Sequence, residues 1–224
     1  MILQLGPENL KTDFHFNIED ANQKKPRFYD SLGVYFSGGI DSTALLLLLL
    51  SELKMQGVLK RYPVHCFTVV KQDYSVDIST PLLDAISRKF QTKIYHHNSI
   101  ANYENKLANI HIRTLLSLYV KHKSMLFFVG NNKMPPESIK KFINVLNTDY
   151  GNVQDRVFFY SPFLFLHKPQ ILDIFYKLNC EDILPYTYSC TVQPHVPCNN
   201  CYACEERAWG FEMLKKQDPL FAQN

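Results

Sequence analysis

Val34-Tyr-Phe-Ser-Gly-Gly-Ile-Asp-Ser-Thr43, running into the leucine block Ala44 to Leu50, decides how the rest of the sequence is read. Val34, Tyr35 and Phe36 are β-prone and apolar, as in a strand entering a buried sheet. Ser37, Gly38 and Gly39 follow, where the backbone must turn and approach something closely; glycine, lacking a Cβ, meets both demands. From Asp41 onward the composition switches to strong helix formers. Strand, glycine turn and helix start together bring free backbone N–H groups to the positive end of a helix dipole, which suits phosphate. Two adjacent glycines alone would fit a bare tight turn. The whole Ser-Gly-Gly-Ile-Asp-Ser string in strand-to-helix context favours phosphate over that reading. It is not a Walker loop, because the Gly-Lys-Ser/Thr ending is absent. The residues expected to face the ligand are Phe36, Ser37, Gly38, Gly39, Ile40, Asp41, Ser42 and Thr43.

The chain has 224 residues, enough for one substantial α/β domain with a small appendage. Its 46% hydrophobic and 20% charged residues are those of an ordinary globule. A net charge of +3 suits an anionic ligand and is too weak to argue for nucleic acid. The apolar run Ala44 to Leu50 is far short of the about twenty residues of a membrane helix. No basic segment leads an apolar core at the N-terminus, so no signal peptide is visible and a cytoplasmic protein is expected. In that reducing setting clustered cysteines read as metal ligands rather than disulfides.

Phe14, Phe16 and Ile18 alternate with His15 and Asn17, the pattern of a half-exposed strand, and Asn22 to Pro26 is a polar turn. Residues 1–32 are therefore an N-terminal extension, a peripheral hairpin or strand addition with no readable chemistry. After the loop, Thr43 to Gln56 should be a buried helix ending near Gly57. Val64 to Val70 reads as a central parallel strand, which places Thr68 to Lys71 against a nucleotide pocket. Ser79 to Phe90 is the next helix, with Pro81 in its first turn. Lys93 to His97 is a strand, where His96 and His97 point to opposite faces and do not form a metal pair. Ile110 to Lys121 is helical and carries Arg113. Met125 to Gly130 is a further buried strand whose Gly130-Asn-Asn exit suits a ligand loop. Glu137 to Leu146 is a short helix, Val157 to Phe163 a strand and exit, and His167 to Lys177 a helix. Lys168 at that helix start opposes the dipole, so it either faces an anion or is a solvated surface lysine. Strands alternating with helices imply a doubly wound parallel α/β sheet.

Four cysteines crowd the C-terminus as C-x7-C-x2-C-x2-C: Cys190, Cys198, Cys201 and Cys204. Four thiolates this close can close a tetrahedral zinc site with no open position. The x2 spacings fit an iron–sulfur cluster as well. His195 is a substitute ligand that four thiols make unnecessary, and Cys66 and Cys180 fall to the core.

Ser37-Gly-Gly-Ile-Asp-Ser42 resembles the loop of the PP-loop ATP pyrophosphatases. Together with Tyr188-Ser-Cys190 and Pro197-Cys-Asn-Asn-Cys-Tyr-Ala-Cys-Glu-Glu-Arg-Ala-Trp-Gly-Phe211, it is similar to the 7-cyano-7-deazaguanine (preQ0) synthase family. Ser161 to Lys168 is similar to that family's Pro-Leu-x-x-x-x-Lys segment. The match runs from about 33 to 213 and is strong at its two ends. Lys71-Gln-Asp-Tyr74 and Asn131-Asn-Lys-Met-Pro-Pro136 stand where family members carry other loops.

The resemblance implies a PP-loop (HUP-like, Rossmann-like) domain over 33–185 and a zinc-binding lobe over 186–224. It implies ATP, Mg2+ and Zn2+, and conversion of a carboxydeazaguanine with ammonia to the nitrile through adenylated intermediates. Asp41 would hold Mg2+, and Lys168 would balance charge on the leaving pyrophosphate. The loop, Thr68 and Gly130 would bind ATP, and Cys190, Cys198, Cys201 and Cys204 would bind zinc. The expected partners are a small molecule of the 7-deazaguanine class and ammonia, with no membrane and no direct nucleic-acid contact; a homodimer is compatible with the sequence. A tRNA-thiolase-like paralogue, another acceptor, or a non-catalytic nucleotide-binding relative are the competing readings.

Overall fold

A computed structural model of the chain describes residues 1–18, 29–71, 76–101, 125–133, 135, 157–193 and 196–221. The alternation of apolar runs resolves into five parallel strands. They are β3 (Ser31–Tyr35), β4 (Val64–Lys71), β5 (Ile94–Ala101), β6 (Met125–Phe128) and β7 (Val157–Tyr160). Their order is β5-β4-β3-β6-β7, with Leu32 level with both Val64 and Leu126. The order reverses between β3 and β6, so the ligand crevice of a doubly wound sheet opens beyond their carboxyl ends. The sequence reading put that crevice beside β4; the topology moves it one strand over.

The other two strands, β1 (Ile2–Leu5) and β2 (Thr12–His15), form an antiparallel hairpin. The expected alternation holds, with Phe14 and Phe16 buried and Asp13 and His15 exposed. The hairpin is more tightly fixed than a peripheral addition needs. The Gly6 amide donates to Asp173 (2.9 Å) and the Gln170 side chain to the Leu10 carbonyl (2.7 Å). The Phe16 ring packs 6.1 Å from Phe128, and Phe14 lies 6.0 Å from Phe163.

Helix α1 (Ile40–Met55) follows the loop and is buried on nearly every side, with Leu45 through Leu50 fully enclosed. A helix wedged between a sheet and a further helix has no need of a polar stripe, which is why its leucines run consecutively. Gly57 stops it at φ +71°, with Val58 donating to the Leu53 carbonyl and Gly57 to that of Lys54. Helix α2 (Val76–Phe90) begins earlier than the proline suggested, so Pro81 lies inside it rather than in its first turn. Pro81 is exposed, where a missing backbone donor is tolerated more easily than in the core. Helices α3 (Lys168–Lys177) and α4 (Tyr202–Met213) complete the described α-helices; none is long and apolar enough to cross a membrane. The expected turn at 22–26, the helices at 110–121 and 137–146 with Arg113, and His195 lie outside the described residues.

His96 and His97 do diverge. His96 Nε2 meets the Thr68 hydroxyl (2.9 Å), while His97 Nε2 shares a hydrogen bond with His65 Nδ1 (2.8 Å). Burial lowers His97 from 6.5 to about 4, with His65 and His96 adding to the drop. The unfolded chain therefore takes up a proton that the fold resists. The contribution of His97 to stability is whole above about pH 6.5 and is lost as pH falls towards 4. The wild-type melting temperature should fall across that window, and fall less in His97→Gln. Parallel pH profiles for the two proteins would contradict this.

Candidate functional site

The loop after β3 is held open by its own side chains. Ser42 Oγ receives the Ser37 amide (3.2 Å), lies 3.1 Å from Ser37 Oγ and donates to the Gly39 carbonyl (3.2 Å). Gly38 sits at φ +78°, a left-handed conformation that costs other residues about 1 kcal/mol or more. The α1 hydrogen-bond ladder starts with Thr43 donating to Gly39 (3.1 Å), so the helix itself offers no acceptor to the amides of Ile40, Asp41 and Ser42. They lie at the carboxyl end of β3, where Gly130 of the β6 exit comes up to Asp41 and Ser42, with the helix dipole behind them. Not every amide between Ser37 and Ser42 is open to a ligand. Ser37 N–H is taken by Ser42, and Gly39 N–H leans on Ser37 Oγ at 3.4 Å.

Thr68 does not line an open pocket. It is fully buried and donates to the Phe36 carbonyl (2.7 Å), so it pins the root of the loop. Gly130 lies against the head of α1, where a Cβ would stand 3.2 Å from the Asp41 carbonyl carbon and oxygen. The β6 exit and the loop thus touch through bare backbone, as the Gly-Asn-Asn exit suggested.

Lys168 is the centre of the site. It is only 4% exposed, which rules out the solvated-surface reading. Its Nζ donates to both Asp41 carboxylate oxygens (2.6 and 2.5 Å) and lies 3.0 Å from Glu206 Oε2. Burial would lower the ammonium, but Asp41 and Glu206 outweigh it and hold it above its ordinary value. Burial raises Asp41, with Lys168 opposing the rise and Glu206 adding to it. Lys168 can stand at the unfavourable end of α3 because two carboxylates meet it there. The Gln170 side chain, accepting the His167 amide at 2.6 Å, closes the first turn behind it.

Glu206 escaped the sequence reading. It is buried on α4, accepting from the Asn132 side chain (2.8 Å) and the Tyr202 hydroxyl (3.3 Å) through Oε1. A second charged residue directly behind a metal-type cysteine was the available signal. Also missed was the Tyr188 amide donating to the Gly38 carbonyl (3.0 Å), which latches the C-terminal segment onto the loop.

The four cysteines converge as expected, with their sulfurs all within 4.8 Å of one another. Zinc–sulfur bonds of about 2.3 Å put tetrahedral sulfurs about 3.8 Å apart, and Cys198 and Cys204 stand at 4.0 Å. Burial would raise the Cys190 thiol, yet hydrogen bonds from the backbones of Cys198, Gln193 and Val192 bring it down to about 6. The donor set fits a metal ion. Cys201 caps α4 and Cys204 lies in its first turn, so the cluster sets where this helix begins. Helix α4 then meets α3 at Gly210, where a Cβ would come 2.6 Å from Leu172 and 2.9 Å from Lys168. Gly210→Ala should cost about 1–3 kcal/mol in a denaturant melt and reduce turnover, because it pushes on Lys168. A neutral change would show that the two helices are free to part.

Two family models match the chain: asparagine synthase over residues 17–121, and queuosine biosynthesis protein QueC over 127–215. The chain is 33% identical over 81 residues to a 7-cyano-7-deazaguanine synthase of Methanosarcina barkeri, covering 32% of this chain and 34% of that protein. It is 32% identical over 81 residues to the Persephonella marina enzyme of the same name, covering 35% and 34%. These alignments span about a third of the length of each curated relative. Among solved structures, an NMN synthetase from Francisella tularensis superposes with a TM-score of 0.49 at 16% identity, covering 91% of this chain and 88% of the other. Over residues 127–215, the stretch that carries Lys168 and the four cysteines, the chain is similar to queuosine biosynthesis protein QueC.

Proposed function

We propose that this chain is an ATP-dependent synthase that turns 7-carboxy-7-deazaguanine and ammonia into 7-cyano-7-deazaguanine, releasing AMP and pyrophosphate. One contact carries the reading. Lys168, inside the stretch matched by the QueC model, closes on Asp41, inside the stretch matched by the asparagine synthase model, at the mouth of the phosphate loop.

A carboxylate is a poor electrophile because its leaving group would be oxide. Transfer of AMP to it gives a mixed anhydride that ammonia can attack. The same activation of the amide oxygen then allows loss of that oxygen to leave a nitrile. The protein's part is positioning and charge stabilisation. The amides of Ile40, Asp41 and Ser42 would receive the phosphates, with Gly130 and the Phe36–Thr43 loop walling the nucleotide. Thr68 would act by holding that loop. Lys168 would balance charge on the leaving pyrophosphate. Mg2+, where Asp41 binds it, would neutralise the phosphates. A zinc held by Cys190, Cys198, Cys201 and Cys204 would be structural, since four thiolates leave no open position. The lobe from residue 186 is taken as docked on the 33–185 unit, and a thiolate-bound zinc suits a reducing compartment.

Sustained ATP turnover should require both the carboxydeazaguanine and ammonium, with AMP as nucleotide product. Formation of ADP would refute the PP-loop chemistry. Turnover only with a different carboxylate or a protein acceptor would refute the substrate while leaving the chemistry standing.

A further inference from the structure

We propose that Glu206 is the positioning residue that keeps Lys168 in place when Asp41 turns from the lysine to the nucleotide's metal ion. The proposal rests on the reading that the loop binds ATP. In the present arrangement Asp41 gives both carboxylate oxygens to Lys168. An Asp41 that binds a divalent cation cannot keep both, and the cation then repels the ammonium beside it. Lys168 is too buried to be rescued by water. The protein carboxylate left to hold it towards the phosphates is Glu206, with Oε2 3.0 Å away.

Glu206 is built for that task. Its oxygens are divided, Oε1 taking the donors of Asn132 and Tyr202 and Oε2 facing Lys168. Asn132 belongs to the β6 exit, Lys168 to α3, and Glu206 to the helix whose first turn carries Cys201 and Cys204. One carboxylate therefore ties the cysteine lobe to two walls of the phosphate site. Glutamine cannot substitute. Even with Asn132 flipped to accept from its amide nitrogen, the oxygen it turns to Lys168 carries no charge, and the buried ammonium loses its ion pair.

The test is calorimetric titration of inorganic pyrophosphate with Mg2+ into wild type, Glu206→Gln and Glu206→Asp, with bound metal and melting temperature measured for each. Pyrophosphate is the group Lys168 is placed to meet, and its binding needs no acceptor substrate. Glu206→Gln should bind it about tenfold more weakly, the size of one lost charge-assisted hydrogen bond. Glu206→Asp, which keeps the charge, should recover most of that loss. Binding by Glu206→Gln within twofold of wild type would overturn the proposal. So would equal weakness in both variants, or a weakness that tracks loss of bound metal or of cooperative melting. Wild-type protein that binds no pyrophosphate would sink the ATP reading itself, and this proposal with it.

Discussion

Replacing Lys168 by methionine should abolish ATP cleavage and lower unfolding stability by about 3–5 kcal/mol, the usual cost of breaking a buried ion pair from one side. Methionine matches the lysine stem in length, so the packing beside Gly210 survives and the charge alone is removed. What remains is two carboxylates aimed at each other. Glu206 is almost fully buried, whereas the Asp41 side chain is 26% exposed and can recruit water. The stability loss should therefore sit at the lower end of that range. Adding Glu206→Gln to Lys168→Met removes one orphan charge and should restore part of the stability without restoring turnover. Denaturant melts and AMP release measure the two effects separately. Turnover within tenfold of wild type would show that Lys168 is not part of the chemistry.

Removal of metal from the four cysteines should be the other large effect, because a structural zinc site contributes on the order of 10 kcal/mol of apparent binding energy. The lobe it orders is thin in apolar mass; Val192 and Val196 are exposed. A further fixed point is Arg207, buried in a paired contact with Asp218 (2.6 and 2.8 Å) and bonded to Thr187. Next to Thr187 stands Tyr188, whose amide holds the Gly38 carbonyl. Chelation or Cys198→Ser should thus lower the melting temperature by on the order of 10 °C and loosen the phosphate loop as well. Elemental analysis of the intact protein should return one zinc and no iron per chain. A brown protein with stoichiometric iron and acid-labile sulfide would contradict the zinc assignment and favour a thiolase-like chemistry.

The parts legible in the sequence were those governed by local rules. Gly38 and Gly39 between an apolar strand and a leucine run have few other uses, and the x2 cysteine spacing brings sulfurs together within one or two turns of chain. The alternation of Phe14 and Phe16 likewise announced a half-exposed strand, though not its partner β1. What escaped depends on tertiary approach. Lys168 looked equally suited to solvent or to an anion, since its partners lie far away in sequence at Asp41 and Glu206. Thr68 was rightly put at a strand end near the loop, but whether its hydroxyl faced a ligand or the Phe36 carbonyl depended on the register of β3 with β4. Pro81 misled because proline is commonest in a first helical turn, whereas an exposed site further in tolerates it. Glu206 carried no pattern of its own; its meaning comes from Asn132 and Lys168 arriving on two other elements.

The proposed chemistry is tested most directly by following carboxylate oxygen. With 7-carboxy-7-deazaguanine labelled with oxygen-18 at both carboxylate positions, each activation passes one labelled oxygen to the α-phosphorus of AMP. Mass spectrometry should find two AMP per nitrile formed, each carrying one heavy oxygen, with pyrophosphate unlabelled. Label in inorganic phosphate, label lost to water, or unlabelled AMP would contradict adenylation of the carboxylate.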